Sequence, residues 1–330
     1  MGEQRVKSPK KILITDRLSE SAELYLNQFP FLHVKKSGSL LPTHEELLEI
    51  HALLIRSRTK IDSVLLEKAR NLQVIVTCTS GFDHIDLSAA QKWGVTVMHT
   101  PEANVQSAAE LTIMHLLLAA RKWKKSQVIL ESGVWKREHV IGVELRGKKL
   151  GLVGLGRIGK KVADLAKSFG LSLSACDPYV DDMHFDQLGI KRRSLEEIFC
   201  SSDFVSLHVP RTKKTKNMIH RSLFEMAPPH LILINASRGE TVNEKDLIDA
   251  LQKGIIAGAC LDVFASEPLP TDSPLLAMDS VHLTPHIGAN TEDAFEKSSH
   301  QGALQLVEFF QDGSTSSLLP PRASWYFDEI

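Results

Sequence analysis

The chain has 330 residues, enough for two domains of ordinary size, each with its own core. Its 39 basic and 40 acidic residues leave a formal charge of −1, which excludes a global field that would recruit nucleic acid or a membrane surface. Four cysteines, Cys78, Cys176, Cys200 and Cys260, have no CxxC or other metal-ligand spacing, so no metal is expected and reduced thiols in a cytoplasm fit best.

No apolar run follows the polar N-terminus, so no signal peptide is expected. Residues 11–15 (KILIT) read as a strand and 19–29 as a helix. Apolar runs at 52–55, 74–77 and 95–98 alternate with helical stretches at 44–50, 63–70 and 87–93. Strands alternating with helices predict a parallel sheet covered on both faces, a doubly wound unit without a glycine fingerprint. After Pro101, residues 104–121 predict a long helix that is apolar almost all round, buried between domains or subunits and the seam of an expected dimer. Its stretch 111–120 is the most hydrophobic of the chain, yet it is too short to cross a bilayer and contains His115.

The densest signal runs from 149 to 177. Leu150, Leu152 and Val153 make a short strand, and Gly154-Leu-Gly156-Arg157-Ile158-Gly159 follows at once. Ile158, Val162, Leu165, Ala166 and Phe169 then fall at helical spacing, Gly170 stops the helix, and a second strand at 172–176 ends in Asp177. Gly154 permits the tight turn, Gly156 lets backbone approach a pyrophosphate, and Gly159 lets helix and sheet pack closely. The phosphates would rest on the helix N-terminus, and Asp177 would accept from the adenosine ribose. Pro178, Asp181 and Asp182 follow with no cation nearby, so NAD is preferred to NADP. Strands at 204–209, 231–235, 258–262 and 281–284 complete an expected six-stranded sheet. Residues 290–311 read as a final amphipathic helix. The tail to 330 ends in Trp325-Tyr-Phe327, read as aromatics docking on the body, with a partner-binding tail as the other reading.

Three residues suited to hydroxy-acid chemistry lie in polar loops directly after strands: Arg238, Glu267 and His286. Oxidising a hydroxy acid needs a base for the hydroxyl proton, a cation for the carboxylate and a group that tunes the base. Each alone has a bland alternative: a surface ion pair for Arg238, a turn start for Glu267, a helix cap for His286. Their placement at successive strand ends, where open α/β sheets bind ligands, favours a site.

With these stretches in view, the sequence resembles the D-isomer-specific 2-hydroxyacid dehydrogenases, most closely the D-3-phosphoglycerate dehydrogenase branch. The resemblance is carried by Arg56-Ser-Arg-Thr-Lys60, Ser80-Gly81-Phe82-Asp-His-Ile-Asp86, Ser107-Ala-Ala-Glu-Leu111, Gly133-Val-Trp-Lys-Arg137, Gly142-Val-Glu-Leu-Arg-Gly147 and the glycine turn. It continues through Leu207-His-Val-Pro210, residues 257–268 and residues 284–289. It implies a Rossmann NAD domain, about 104–289, inserted into a flavodoxin-like substrate domain of residues 1–103 completed by 290–330. His286 would be the acid/base, Glu267 the carboxylate supporting its protonated form, and Arg238 the holder of the substrate carboxylate and carbonyl. Backbone around Ser80, Gly81 and Phe82 would complete the carboxylate site, and closure of the cleft between the domains would exclude water. Asp262, with Ala236 and Ser237, would hold the nicotinamide, while His208, Val209, Pro210, Gly288 and Ala289 would line the rest of the NAD site.

The resemblance implies oxidation of D-3-phosphoglycerate, with Arg56 and Arg137 on the phosphate, while Arg58 and Lys60 in the same loop read as solvated surface charges. A glyoxylate/hydroxypyruvate reductase and, more remotely, an NAD-sensing transcriptional co-repressor remain as alternatives on the same fold. Departures from the family pattern are His99-Thr-Pro101, Gly288-Ala-Asn-Thr291 and Pro228-Pro229-His230. No regulatory domain of the kind many phosphoglycerate dehydrogenases carry is expected.

Overall fold

A computed structural model describes residues 9–321 and Tyr326. The N-terminal leader question and Trp325 and Phe327 of the tail lie outside the described residues. The chain divides into two compact units, one formed by residues 105–289 and the other by the segments before and after it.

The first unit opens with β1 (Lys10–Ile14), α1 (Glu20–Asn27), β2 (Leu32–Lys36), α2 (His44–Leu48), β3 (Ala52–Ile55), α3 (Ser63–Lys68), β4 (Val74–Thr77), α4 (Leu87–Lys92) and β5 (Thr96–His99). Each helix starts on a side-chain cap: Ser19, Thr43 in a capping box with Glu46, Asp62 and Asp86. These oxygens satisfy N–H groups that the first turn leaves unpaired. β3 and β4 are buried throughout, as expected of central parallel strands covered on both faces. The parallel order is β2-β1-β3-β4-β5, so the winding reverses between β1 and β3. β2 escaped the sequence reading because it is an edge strand, LHVKK, that buries no residue fully.

The second unit carries α5 (Val105–Ala120), α6 (Trp123–Glu131), β6 (Lys149–Val153), α7 (Arg157–Ser168), β7 (Ser172–Cys176), α8 (Asp182–Leu188), β8 (Lys191–Arg192) and α9 (Leu195–Ser201). It continues with β9 (Phe204–Leu207), α10 (Arg221–Glu225), β10 (Ile232–Asn235), α11 (Glu244–Gln252), β11 (Gly258–Leu261) and β12 (Val281–Leu283). α5 packs on α7 and over β10 and β11, which explains a helix apolar on several sides. The sheet has seven parallel strands in the order β8-β7-β6-β9-β10-β11-β12, one more than the six expected. The extra strand, β8, is two charged residues long and pairs Ala175 with Arg192, so no apolar run announces it.

The chain then returns to the first unit with α12 (Glu292–Asp312), capped by Thr291 and ended by Gly313 at φ +79°. α12 lies so close to the first sheet that a Cβ on Gly302 would stand 2.4 Å from Cys78 Sγ. β13 (Leu318–Leu319) pairs antiparallel with β5, the one departure from an all-parallel first sheet among the described residues. Among the described residues no helix is long and apolar enough to cross a membrane.

Candidate active site

Because all seven strands of the second unit are parallel, the loops after β6, β9, β10, β11 and β12 emerge at one edge of the sheet. The winding reverses between β6 and β9, and ligands of open α/β sheets sit at such a switch point. The glycine turn lies there. Gly154 adopts φ +96°, and a Cβ on it would come within 2.6 Å of His208 O. A Cβ on Gly159 would stand 2.3 Å from Gly154 O, so α7 rests directly on the turn. Gly156, by contrast, has nothing within 4 Å of its would-be Cβ, and no side chain caps α7. A tight turn, a closely seated helix and an open, uncapped helix start fit a dinucleotide pyrophosphate. Arg157 and Ile158 form the first turn of α7.

Asp177, at the end of β7, accepts from the N–H groups of Leu155 (2.8 Å) and Tyr179 (2.9 Å), which aim its carboxylate across the glycine turn. The expectation that no cation lies nearby is corrected. Arg192 of β8 stands within electrostatic reach of Asp177; it donates to Asp182 Oδ1 at 2.6 Å and lies over the Phe185 ring at 5.5 Å. Fifteen residues of chain hid this neighbour, which only the β7–β8 pairing creates. His208 donates its N–H to Val153 O (2.7 Å), and its ring Nε2 is 3.0 Å from Ser206 Oγ. Val209 Cγ1 lies 3.0 Å from the would-be Cβ of Gly154, and Pro210 O accepts from Thr215 Oγ1 at 2.6 Å.

The three chemistry-bearing loops are tied to one another. After β10, Asn235 Oδ1 accepts from the N–H (3.0 Å) and hydroxyl (2.8 Å) of Ser237, turning the chain through Ala236. Asn235 Nδ2 and Thr241 Oγ1 donate to Arg238 O at 2.9 and 2.7 Å, and the Arg238 guanidinium donates to Ser237 O at 2.7 Å. Gly239 then meets the next loop: a Cβ there would lie 1.9 Å from Phe264 O. Only glycine permits that approach.

After β11, the Phe264 N–H donates to Glu267 Oε1 at 3.1 Å, and Glu267 Oε2 accepts from His286 Nδ1 at 2.7 Å. The hydrogen bond from Glu267 raises the His286 pKa, and the carboxylate charge adds to it; burial and the Arg238 charge oppose the rise. Burial pushes the Glu267 carboxyl up, but the His286 hydrogen bond and charge, the Phe264 N–H and Arg238 together hold it below its usual value. His286 has φ +53°, a left-handed backbone that its loop must hold in place. Asp262, fully buried, does so: its backbone O accepts from the His286 N–H (2.8 Å), Oδ1 from Ile287 N–H (2.8 Å) and Thr284 Oγ1 (2.6 Å), and Oδ2 from Gly288 N–H (2.8 Å). Ala289 closes this loop, half-buried.

The remaining predicted residues divide between the units. Arg137 lies in a 3-10 turn of the second unit, exposed. Arg56, Ser80, Gly81 and Phe82 belong to the first. Arg56 follows β3, half-buried, with its guanidinium 5.0 Å from the Phe295 ring and donating to Ser298 Oγ at 3.0 Å. Arg58 and Lys60 are exposed, as expected of solvated charges, and Arg58 also pairs with Asp16. Ser80 O lies 2.9 Å from His99 Nδ1, Gly81 O accepts from Thr79 Oγ1 at 2.7 Å, and the Phe82 ring meets those of His99 (5.8 Å) and Tyr326 (6.5 Å). Sequence reasoning missed Asn235, Gly239 and Thr284 as loop organisers. A glycine directly after a candidate arginine was the one available signal, since such positions often mark close backbone approach.

Residues 113–288 match the family described as D-isomer specific 2-hydroxyacid dehydrogenase, NAD binding domain. The chain is 38% identical over 285 residues to the D-3-phosphoglycerate dehydrogenase of Archaeoglobus fulgidus, covering 86% of this chain and 54% of that one. It is 35% identical over 315 residues to the enzyme of the same name from Sus scrofa, covering 95% and 59%. The chain thus spans about half the length of the curated relatives it matches. Among solved structures, the D-lactate dehydrogenase of Aquifex aeolicus complexed with NAD and lactic acid superposes with a TM-score of 0.83 at 29% identity, covering 92% of this chain and 96% of that one.

Proposed function

The chain belongs to the D-isomer specific 2-hydroxyacid dehydrogenases, and from that membership we propose that it oxidises D-3-phosphoglycerate to 3-phosphohydroxypyruvate with NAD. The observation that carries the chemistry is the 2.7 Å contact between His286 Nδ1 and Glu267 Oε2. It leaves Nε2, without a partner among the described residues, as the nitrogen that takes the proton of the substrate hydroxyl. Glu267 favours the protonated ring that results, so His286 holds the proton until it is released or returned in the reverse direction. Arg238 supplies the cation for the substrate carboxylate and carbonyl oxygen. NAD, when bound, would supply the hydride acceptor; the Gly154–Gly159 turn would hold its pyrophosphate and Asp177 its ribose. NAD is preferred over NADP, because the Asp177 carboxylate at the end of β7 would repel a 2′-phosphate on that ribose.

The phosphate choice rests on the named relatives and on Arg56 and Arg137. One observation favours a second reading, a smaller unphosphorylated hydroxy acid such as glycerate. The Arg56 guanidinium is engaged by Ser298 and Phe295, which leaves fewer of its donors for a phosphate. A panel of D-2-hydroxy acids and 2-oxo acids assayed with NAD and NADP decides between them. Turnover of D-3-phosphoglycerate with NAD at a kcat/KM above that of glycerate is the expected result; the reverse order gives the second reading.

We also propose a homodimer built through the second unit. Trp123 (52% exposed), Leu130 (54%), Trp135 (82%) and Ile141 (70%) stand in solvent within a short stretch of the chain, together with Met114 and Leu117 of α5. Such a concentration of exposed large apolar side chains in one stretch supports this reading. Light scattering at micromolar protein should give twice the chain mass; a monomer refutes the proposal.

A further inference from the structure

His115 sits in α5 with no exposed surface, and none of the chemistry above uses it. Its Nε2 lies 3.3 Å from Thr284 Oγ1, and that hydroxyl lies 2.6 Å from Asp262 Oδ1. A hydroxyl carries one proton, and a carboxylate accepts only. The short contact therefore takes the Thr284 proton, and Thr284 Oγ1 must accept from His115. That assignment puts the ring hydrogen on Nε2 and leaves Nδ1 bare. Nδ1 is buried with no hydrogen-bond partner among the described residues, so a hydrogen placed there would make no bond. The Nε2–H tautomer is therefore the one that makes a bond, and the unpartnered Nδ1 is compatible with it. Burial lowers the His115 pKa to about 4, despite the opposing charge of Asp262, so the ring stays neutral near pH 7.

The other groups around the ring do not replace this chain of bonds. Cys260 Sγ donates to the backbone O of His115 at 3.5 Å, and the charge of His282 lowers the same pKa. Asp262, at the end of the chain, receives the N–H groups of Ile287 and Gly288 and holds the turn that presents His286. We propose that His115 is a positioning residue of the active site, donating through Nε2 to Thr284 and thereby fixing the Asp262 carboxylate beneath the His286 loop. The inference rests on the dehydrogenase reading for its effect on turnover.

A bare, buried lone pair at Nδ1 burdens the fold, and an apolar side chain there would remove it. Stability and turnover should therefore respond in opposite directions, which a purely structural histidine would not do. In His115→Leu the melting temperature should equal or exceed that of the parent, while kcat falls roughly tenfold through a loosened His286 loop. NADH affinity, read by fluorescence titration, should weaken severalfold. His115→Gln, whose Nε2 can still donate to Thr284, should recover most of the kcat. Thr284→Val should lower kcat similarly, and the double variant with His115→Leu should be no worse than either alone. An unchanged kcat in His115→Leu, a loss of kcat that merely follows a lower melting temperature, or a Gln variant no better than Leu overturns the proposal. If the parent protein turns over no 2-hydroxy acid, the dehydrogenase reading fails by itself. His115 is then judged on the NADH titration, and an affinity unchanged in His115→Leu overturns its role.

Discussion

Replacing Gly239 by Ala should separate two loops that the site needs in contact. The added Cβ would stand 1.9 Å from Phe264 O, 2.0 Å from its carbonyl carbon and 2.6 Å from its Cα. All three are backbone atoms, so no side-chain rotation relieves the clash. Ordinary contact begins near 3.4 Å, which requires the two strands of chain to part by about 1.5 Å. Overpacking of this kind costs about 1–3 kcal/mol or more. The larger effect is on geometry: Arg238 precedes the methyl, and the Phe264 N–H on the other side holds Glu267, which in turn holds His286. A displacement of ~1 Å at a reacting centre can lower turnover about 10²-fold. Steady-state kcat/KM for the best substrate, read beside the melting temperature and NADH affinity, checks this. The expected result is a folded protein with a modestly lower melting temperature, near-parental NADH binding, and kcat/KM reduced roughly 10²-fold. Parental kcat/KM would refute the coupling of the Arg238 and Glu267 loops.

His286→Asn should lose roughly 10²-fold or more in kcat with NADH binding retained, measured by turnover and fluorescence titration. Glu267→Gln should lower the His286 pKa, since the carboxylate is the first cause of its rise. Reduction needs protonated His286, so its alkaline limb should move to lower pH; oxidation needs the neutral ring, so its acid limb should also move to lower pH, and unchanged pH profiles would remove Glu267 from the mechanism. Asp177→Ala should narrow the preference for NAD over NADP, chiefly by weakening NAD, and it also strips an acceptor from the Leu155 and Tyr179 N–H groups. Equal losses for both cofactors in titration would count against a ribose contact. Arg56→Ala should lower both the melting temperature and the affinity for D-3-phosphoglycerate, because Arg56 also braces α12 through Phe295 and Ser298. Arg137→Ala should raise KM for that substrate with little change in melting temperature; a KM raised equally for glyoxylate would make both arginines structural.

The parts of this protein that its sequence determined are those whose causes are local. The glycine turn is legible because strand, Gly154, Gly156, Gly159, helix and Asp177 follow one another within a single βαβ unit, each glycine needed by a neighbour close in the chain. The helix starts at Ser19, Thr43, Asp62 and Asp86 are local for the same reason: a side-chain oxygen satisfies an N–H three residues on. The candidate residues Arg238, Glu267 and His286 could be named because each follows an apolar run that reads as a strand. Which atoms they use could not. The Nδ1 contact of His286, the left-handed turn held by Asp262 and the pinch of Gly239 on Phe264 depend on three loops meeting at one sheet edge. The tertiary fold alone set Arg192 near Asp177, through a two-residue strand without apolar signal. It alone laid Arg56 on Phe295 and Ser298, residues near the far end of the chain. It alone joined His115 to Thr284 and Asp262. Periodicity reports which face of an element is buried, not which side chain from another element will lie against it, because that pairing is decided by how the layers pack.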